Sequence, residues 1–171
     1  MPKPTPQPPY TPPPKQKNKK AQVVIFNRGV VEQQGTPEEI IARPRTPFVM
    51  KFIGDTNSVP SGCALVRRMR FSTPKAETMF RPSDIQLLRA APAEGDAKPY
   101  IAADVMDRTN LGWTVKYVLR FDDGVAVEFG VSREADAARF GLDAGARVYV
   151  HVPAAAMMGF NATDVDSTPL V

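Results

Sequence analysis

The spacing of hydrophobic and polar positions changes along this chain, and it first predicts a β-hairpin. Val23 to Phe26 is an apolar run typical of a strand. Asn27-Arg28-Gly29 has the glycine placement of a three-residue loop, and Val30 to Gln33 returns as the second strand. Because an isolated hairpin is only marginally stable, we expect this one to join a larger structure.

Two short helices are predicted to follow the hairpin. Thr36-Pro37-Glu38-Glu39 combines a capping box with proline at the first helical position, and Pro44 ends that helix near Arg43. Thr46-Pro47 repeats the start signal. Phe48 with Phe52, and Val49 with Ile53, have the four-residue spacing of one buried stripe before Gly54 ends the helix.

From Asn57 onward the pattern changes to short alternating or apolar runs that are separated by turn residues. The expected strands are Ala64 to Phe71, Ile85 to Leu88, Tyr100 to Met106, Trp113 to Phe121, Val125 to Phe129 and Arg147 to Val152. Asp122-Asp123-Gly124 predicts a hairpin, and Arg133 to Phe140 predicts a helix with Ser132 as N-cap and Gly141 at its end. This spacing is typical of a small barrel of the OB type.

The chain is therefore predicted to be mainly β, with three parts. Residues 1–20 are a disordered leader rich in Pro and Lys, because eight of the 18 prolines and almost no large apolar side chains lie there. Residues 21–56 hold the hairpin and the two short helices. Residues 57–171 hold the OB-like barrel with one short helix.

Charge and cysteine content exclude several classes of function. The net charge of +4 comes from five leader lysines, because the remaining 17 basic and 18 acidic residues nearly cancel. A globally basic nucleic-acid binder is therefore disfavoured. Cys63 is the only cysteine, which excludes an intramolecular disulfide and a zinc site made of several thiolates. The longest uncharged run, Val148 to Thr163, is too short to span a membrane.

The segment from Val23 to Asn57 resembles the end of the nucleotide-binding subunit of ABC importers of the sulfate, molybdate, spermidine and maltose class. The phrases that carry the resemblance are Val24-Ile25-Phe26-Asn27-Arg28-Gly29, Glu32-Gln33-Gln34-Gly35-Thr36-Pro37-Glu38-Glu39-Ile40 and Arg43-Pro44-Arg45-Thr46-Pro47-Phe48-Val49. The rest resembles the TOBE (transport-associated OB) domain of such subunits, through Phe80-Arg81-Pro82-Ser83-Asp84-Ile85 and Leu142 to Val150. Within this class the resemblance favours the sulfate type.

The catalytic motifs of an ABC ATPase are not present in this sequence. No two glycines are five positions apart and no glycine precedes a lysine, so a G-x-x-x-x-G-K-[S/T] phosphate loop is excluded. In the family, the signature loop and the acidic magnesium-binding positions precede the segment that resembles Val23 to Asn57. We therefore expect no catalytic residues, no cofactor and no bound metal, and ATP hydrolysis would need a separate ATPase chain.

Five polar residues are candidate contacts for an oxyanion: Arg81, Arg108, Asn110, Lys116 and Arg120. A guanidinium binds a tetrahedral anion with two parallel hydrogen bonds, which favours Arg81. Alternatively, Arg81 anchors its own turn through backbone carbonyls. Lys116 and Arg120 share one face of a strand, which is also typical of a solvated face. Arg108 and Asn110 lie in a loop where turn chemistry alone explains the residue types.

Apolar residues of the N-terminal segment are candidates for docking on a partner: Val24, Phe26, Phe48 and Phe52. In the barrel, Trp113, Tyr117 and Phe121 have the even spacing of a base-stacking surface. However, Trp113, Val115, Tyr117, Leu119 and Phe121 also form one apolar face, which predicts core packing. His151 has no suitably spaced metal ligand or nucleophile, so we interpret it as structural.

Three functional hypotheses remain. The resemblance implies a non-catalytic accessory or regulatory domain of a sulfate-like ABC importer ATPase that mediates subunit association and anion sensing. Its partners would be an ATPase body, a second copy of the barrel, or both, and indirectly permease subunits, at the cytoplasmic or organelle stromal face of a membrane. An alternative is a TOBE-derived structural adaptor in an unrelated complex. The third is an OB-type nucleic-acid binder, which the charge distribution disfavours.

Overall fold

The computed structural model describes residues 21–161 and confirms the mainly β fold class; the predicted disordered leader, residues 1–20, lies outside the described residues. The strands are β1 Val23–Asn27, β2 Val30–Gly35, β3 Asn57–Pro60, β4 Glu77–Phe80, β5 Gln86–Leu88, β6 Ile101–Asn110, β7 Thr114–Phe121, β8 Ala126–Ser132, β9 Arg147–His151 and β10 Met158–Phe160. The helices are α1 Pro37–Ala42, α2 Pro47–Phe52, α3 Ala64–Arg68 and α4 Arg133–Arg139, and single 3-10 turns span Pro82–Asp84 and Ala154–Ala156.

The strands form antiparallel sheets of two, three and five strands. The hairpin β1-β2 stands by itself, β10-β4-β3 is the three-stranded sheet, and β5-β9-β6-β7-β8 is a curled half-barrel. The main core is enclosed by the inner face of the half-barrel together with α3 and β3. Asn57 ties β3 to the edge of β8, because its side chain donates to the carbonyl of Glu128 at 2.8 Å and accepts from its N–H at 2.7 Å.

The N-terminal hairpin exists, but its loop is shorter than the sequence suggests. Asn27 pairs directly with Val30, so the turn has two residues rather than three. Arg28 and Gly29 both have positive φ, 48° and 81°, which matches the right-handed twist of the flanking strands as in type I′ hairpins. The prediction of a turn at Gly29 is confirmed. The sequence did not predict the left-handed backbone conformation of Arg28, which is uncommon for a residue other than glycine.

Both predicted helix starts are confirmed. The Thr36 hydroxyl accepts from the N–H of Glu39 at 3.3 Å, and the Glu39 carboxylate accepts from the N–H of Thr36 at 2.8 Å. The Thr46 hydroxyl accepts from the N–H of Val49 at 3.3 Å. Between the helices, the buried Gln33 side chain donates to the carbonyl of Arg43 and accepts from the N–H of Arg45, each at 2.9 Å.

Helix α2 connects the N-terminal segment to the rest of the protein. Its buried residue Val49 joins a small core, whose other buried members are Ile25 and Ile40. The next residue, Met50, packs into a different cluster with Met79 and Phe160 of the three-stranded sheet. These two consecutive residues therefore bury their side chains in two different cores. The sequence predicted a single buried stripe from the spacing of Phe48, Val49, Phe52 and Ile53. That prediction is wrong at Phe52, which is 65% exposed.

The strand predicted over Ala64 to Phe71 is wrong, because this segment begins with helix α3. Leu65, Val66 and Met69 are buried while the residues between them face solvent, which is the spacing of a helix face. The residue at the N-cap, Cys63, makes no side-chain cap. Instead the Asp123 carboxylate accepts from the N–H of Ala64 at 2.7 Å, a contact between distant residues that the local sequence did not reveal.

The core prediction for β7 is correct for four residues and wrong for one. Val115, Tyr117, Leu119 and Phe121 are buried as expected, whereas Trp113 is 92% exposed. Trp113 precedes the first residue of β7 and lies in the turn after Gly112, which has a φ of 85°. The strand alternation therefore does not extend to Trp113. No helix among residues 21–161 is long and apolar enough to span a membrane.

A polar network fixes helix α4 on the half-barrel. The hydroxyl of Tyr117 donates to the Asp136 carboxylate and accepts from the N–H of Leu142 at 3.1 Å, while Arg108 donates to Asp136 at 2.5 Å. The predicted N-cap is confirmed, since the Ser132 hydroxyl accepts from the N–H of Ala135. Burial by itself would raise the pKa of Asp136, but the hydrogen bonds from Tyr117 and Arg108 outweigh burial and hold this pKa below its usual value.

We predict that Asp136→Asn lowers the free energy of unfolding by about 2 kcal/mol at neutral pH, because it removes a buried hydrogen-bonded charge. A carboxylate with a lowered pKa in the folded state contributes stability above its unfolded pKa of about 4 and loses it at lower pH. The difference between wild type and variant should therefore shrink below about pH 4. Urea denaturation across pH measures this, with the exposed Asp143→Asn as control. A difference that stays constant down to about pH 3 contradicts the assignment.

Candidate functional site

One cavity brings together two of the five candidate anion contacts, Arg81 and Lys116. Its volume is about 400 Å³, and it lies where the loop after α2, the 3-10 turn at residues 82–84 and the strands β7 and β8 meet. The lining residues are Asp55, Arg81, Pro82, Ser83, Thr114, Lys116, Gly130, Val131 and Ser132. We call it the junction cavity, because Asp55 comes from the segment between α2 and β3.

Arg81 reaches the junction cavity from the start of the 3-10 turn. The turn is closed by backbone groups and by Asp84, whose carboxylate accepts from the N–H of Arg81 at 3.0 Å and whose own N–H donates to the Arg81 carbonyl. Nη2 of Arg81 is buried and has no hydrogen-bond partner among the described residues. Leaving a charged donor buried without a partner is costly, so this nitrogen favours a hydrogen-bond acceptor.

Lys116 supplies the second positive charge and is held by two carboxylates. Its Nζ lies 2.8 Å from Asp55 and 3.3 Å from Glu128. The hydrogen bond to Asp55 is the main reason why the pKa of Lys116 is raised above its usual value, with a smaller contribution from Glu128. Lys116 therefore stays charged at neutral pH. Of the two carboxylates, only Asp55 lines the cavity.

Hydroxyl groups complete the wall of the junction cavity. Thr114 and Ser132 are direct cross-strand partners on β7 and β8, and Ser83 comes from the 3-10 turn. The partner of Lys116 on β8 is Gly130, where a Cβ would lie 3.7 Å from the side chain of Pro82. The absence of a side chain at Gly130 therefore leaves room beside Lys116. Two cations, one carboxylate and three hydroxyl donors form an environment that suits a small oxyanion.

The other three candidate contacts lie away from the junction cavity. The predicted loop position of Arg108 and Asn110 is wrong, because both lie on strand β6. Arg108 donates to Asp136 and Tyr117 in the network that holds α4. The Asn110 side chain accepts from the N–H of Gly112 at 3.0 Å, which is the turn chemistry considered as its alternative role. Arg120 shares the outward face of β7 with Lys116, but it is four residues further along, about 13 Å in an extended strand.

The four candidate docking residues differ in exposure. Phe26 is 62% exposed, and Val24 lies two residues earlier on the same face of β1 and is also exposed. Phe52 is exposed and stacks on Phe48, with ring centroids 5.9 Å apart. Phe48 packs partly against the small N-terminal core, so its first role is structural. Val24, Phe26 and Phe52 remain available for a partner.

Four lining residues with oxygen-bearing side chains were missed by the sequence interpretation: Asp55, Ser83, Thr114 and Ser132. Thr114 lies two positions before Lys116 and therefore on the same face of β7. The alternation of the sequence already indicated this. Ser83 sits inside the quoted Arg-Pro phrase, and Ser132 was recognised only as an N-cap. Asp55 gave no local signal, because its contact with Lys116 joins residues far apart in the chain.

Comparison with known proteins agrees with the resemblance described above. Residues 79–160 match the TOBE domain family model. The sulfate/thiosulfate import ATP-binding protein CysA of Synechococcus elongatus is 38% identical over 104 residues, which are 60% of this chain and 28% of that protein. CysA of Gloeobacter violaceus is 36% identical over 130 residues, 76% of this chain and 36% of its own length.

A third relative, CysA of Synechocystis sp., is 30% identical over 156 residues, 88% of this chain and 42% of that protein. The chain thus spans between 28% and 42% of the length of these three curated relatives, and the match is to their C-terminal region. The solved cytoplasmic molybdate-binding protein ModG aligns with 55% of this chain and 68% of its own chain, at 18% identity and a TM-score of 0.44.

Proposed function

Since residues 79–160 of this chain form a TOBE domain and the chain is similar to the C-terminal part of ABC importer ATP-binding subunits, we propose that it is a non-catalytic regulatory module of a sulfate-like importer. It associates with an ATPase body, with a second copy of its barrel, or with both, and it senses an oxyanion in the junction cavity. It lies at the cytoplasmic or organelle stromal side of a membrane, and its partners attach it there as a peripheral protein. ATP hydrolysis is the task of the ATPase chain.

Exposed apolar side chains on the N-terminal hairpin support the association. Phe26 and Val31 are direct partners across the hairpin, and both are more than half exposed. Large exposed apolar residues that cluster on one element are typical of interaction surfaces. The core beneath them is small, because it buries only Ile25, Ile40 and Val49 among the described residues. A partner that covers the hairpin would add the burial that this core lacks.

We predict that the hairpin β1-β2 is less protected from amide hydrogen exchange than β6-β7 when the chain is studied alone. The reason is its small core, compared with a half-barrel whose inner face is almost entirely buried. Exchange of both hairpins in one sample, followed by mass spectrometry of peptides, measures the difference. Equal, strong protection in a monomer would mean that the hairpin needs no partner.

The junction cavity supports the sensing role through its chemistry. Arg81 and Lys116 supply two positive charges, Nη2 of Arg81 has no hydrogen-bond partner among the described residues, and three hydroxyl residues in the lining are able to donate. A tetrahedral oxyanion accepts hydrogen bonds in several directions at once. The single observation that carries this part of the proposal is Arg81, a cavity-lining residue whose buried Nη2 has no hydrogen-bond partner among the described residues.

We predict that sulfate binds the full chain and that Arg81→Gln and Lys116→Gln each weaken this binding by about 10-fold or more, the effect of losing a charge-assisted hydrogen bond. Arg120→Gln is the matched control, because it removes a cation from the same face of β7 outside the cavity. Isothermal titration at constant ionic strength measures the affinities. Absence of binding, or an equal loss in the control variant, would refute the site.

A further inference from the structure

Asp55 is the acidic residue in the lining of the junction cavity, and its carboxylate would repel a bound anion. Its carboxylate lies 2.8 Å from Nζ of Lys116, one of the two cations in the wall. An oxyanion that uses Lys116 would come close to this carboxylate, and like charges at such a distance repel each other. The Asp55 side chain is 66% exposed, so leaving Lys116 for water costs it little.

We propose that Asp55 is an internal competitor of the oxyanion, so that anion binding displaces its carboxylate from Lys116 and releases the Gly54–Asp55 segment from the half-barrel. This inference rests on the proposed anion site, and it adds that occupation of the site changes the connection between the two parts of the chain. Lys116 exchanges one acceptor for another and keeps its contact with Glu128 throughout. The cavity therefore never contains an unpaired lysine.

The hydrogen bonds around Asp55 show which part of the chain is free to move. On the C-terminal side, Asn57 is fixed to the backbone of Glu128 by two hydrogen bonds. The hydroxyl of Thr56 donates to the carbonyls of Met50 and Gly54, which ties the loop to the end of α2. Gly54 faces the guanidinium of Arg81, since a Cβ at this position would lie 3.1 Å from Nη1. Gly54 and Asp55 thus lie beside Arg81 and Lys116, the two cations that would bind the anion.

Release of the Gly54–Asp55 segment would directly affect Phe52, one of the docking residues. Phe52 is the last residue of α2, two positions before Gly54, and it is exposed. A change at Gly54–Asp55 therefore acts on the end of the helix that carries Phe52. Because coupling between two binding events is reciprocal, a partner that holds α2 in its present position would also weaken anion binding.

The test is a sulfate titration of the full chain as wild type, Asp55→Asn and Glu128→Gln at constant ionic strength. Asp55→Asn should bind sulfate about fivefold more tightly, as expected for loss of an exposed charged competitor. Glu128→Gln is the matched control, because it removes the other carboxylate from Lys116 without changing the cavity wall. Its effect should be smaller than about twofold.

Hydrogen exchange of the peptide that contains residues 54–56 supplies the second readout. Sulfate should speed exchange there in the wild type and leave Asp55→Asn unchanged. Sulfate binding with unchanged or weaker affinity in Asp55→Asn, or equal tightening in both variants with no change in exchange, overturns the competition and leaves the anion site intact. If no variant binds sulfate, the anion site itself is refuted, and the competition with it.

Discussion

Helix α2 buries two consecutive side chains in two different cores, and the arrangement of the two parts of the protein depends on this constraint. Val49 packs with the hairpin and α1, whereas Met50 packs with the three-stranded sheet. The helix has only six residues, so it cannot shift without disturbing one of the two clusters. Interiors are close-packed, which makes such a shared element rigid where it is buried. Its C-terminal end carries the exposed Phe52 and leads into the segment of Gly54 and Asp55.

The junction cavity lies next to the segment that follows α2. Asp55 follows α2, Arg81 starts the 3-10 turn after β4 and Lys116 lies on β7, so the cavity wall contains residues from both sides of the connection. A ligand at such a place acts on the connection as well as on the cavity. This is the physical basis for combining association and anion sensing in one proposed function: the proposed docking residues are on the N-terminal side, and two of the proposed anion contacts, Arg81 and Lys116, are on the barrel side.

Local chemistry made much of the fold predictable from the sequence. Capping residues depend on neighbours three positions away, so the starts at Thr36, Thr46 and Ser132 were correctly identified. The strand face of β7 followed from simple alternation. The segment after Ala64 was misassigned because a short apolar run fits both a strand and a helix, and the deciding cap came from Asp123, far along the chain.

The candidate site was only partly predictable, for the same reason. Arg81 and Lys116 were selected by residue type, and the fold placed them in one cavity. Arg108 was selected by the same criterion, yet it pairs with Asp136 on α4, which no local pattern indicates. Residue type identifies groups that are able to bind an anion. Which of them face a common space depends on contacts between strands, turns and loops that are distant in sequence.

The central claim is that this chain works as the regulatory module of an ABC importer ATPase and docks through its N-terminal hairpin. The most direct measurement is purification of the tagged full-length chain from its native cells, with quantitative mass spectrometry of the proteins that co-purify in stoichiometric amounts. The account predicts an importer ATPase together with its permease subunits. These should be lost with Phe26→Ser and kept with Trp113→Ser, which removes an even more exposed aromatic side chain from the barrel. A stoichiometric complex that contains neither ATPase nor permease, or one that Phe26→Ser leaves unchanged, would contradict the account.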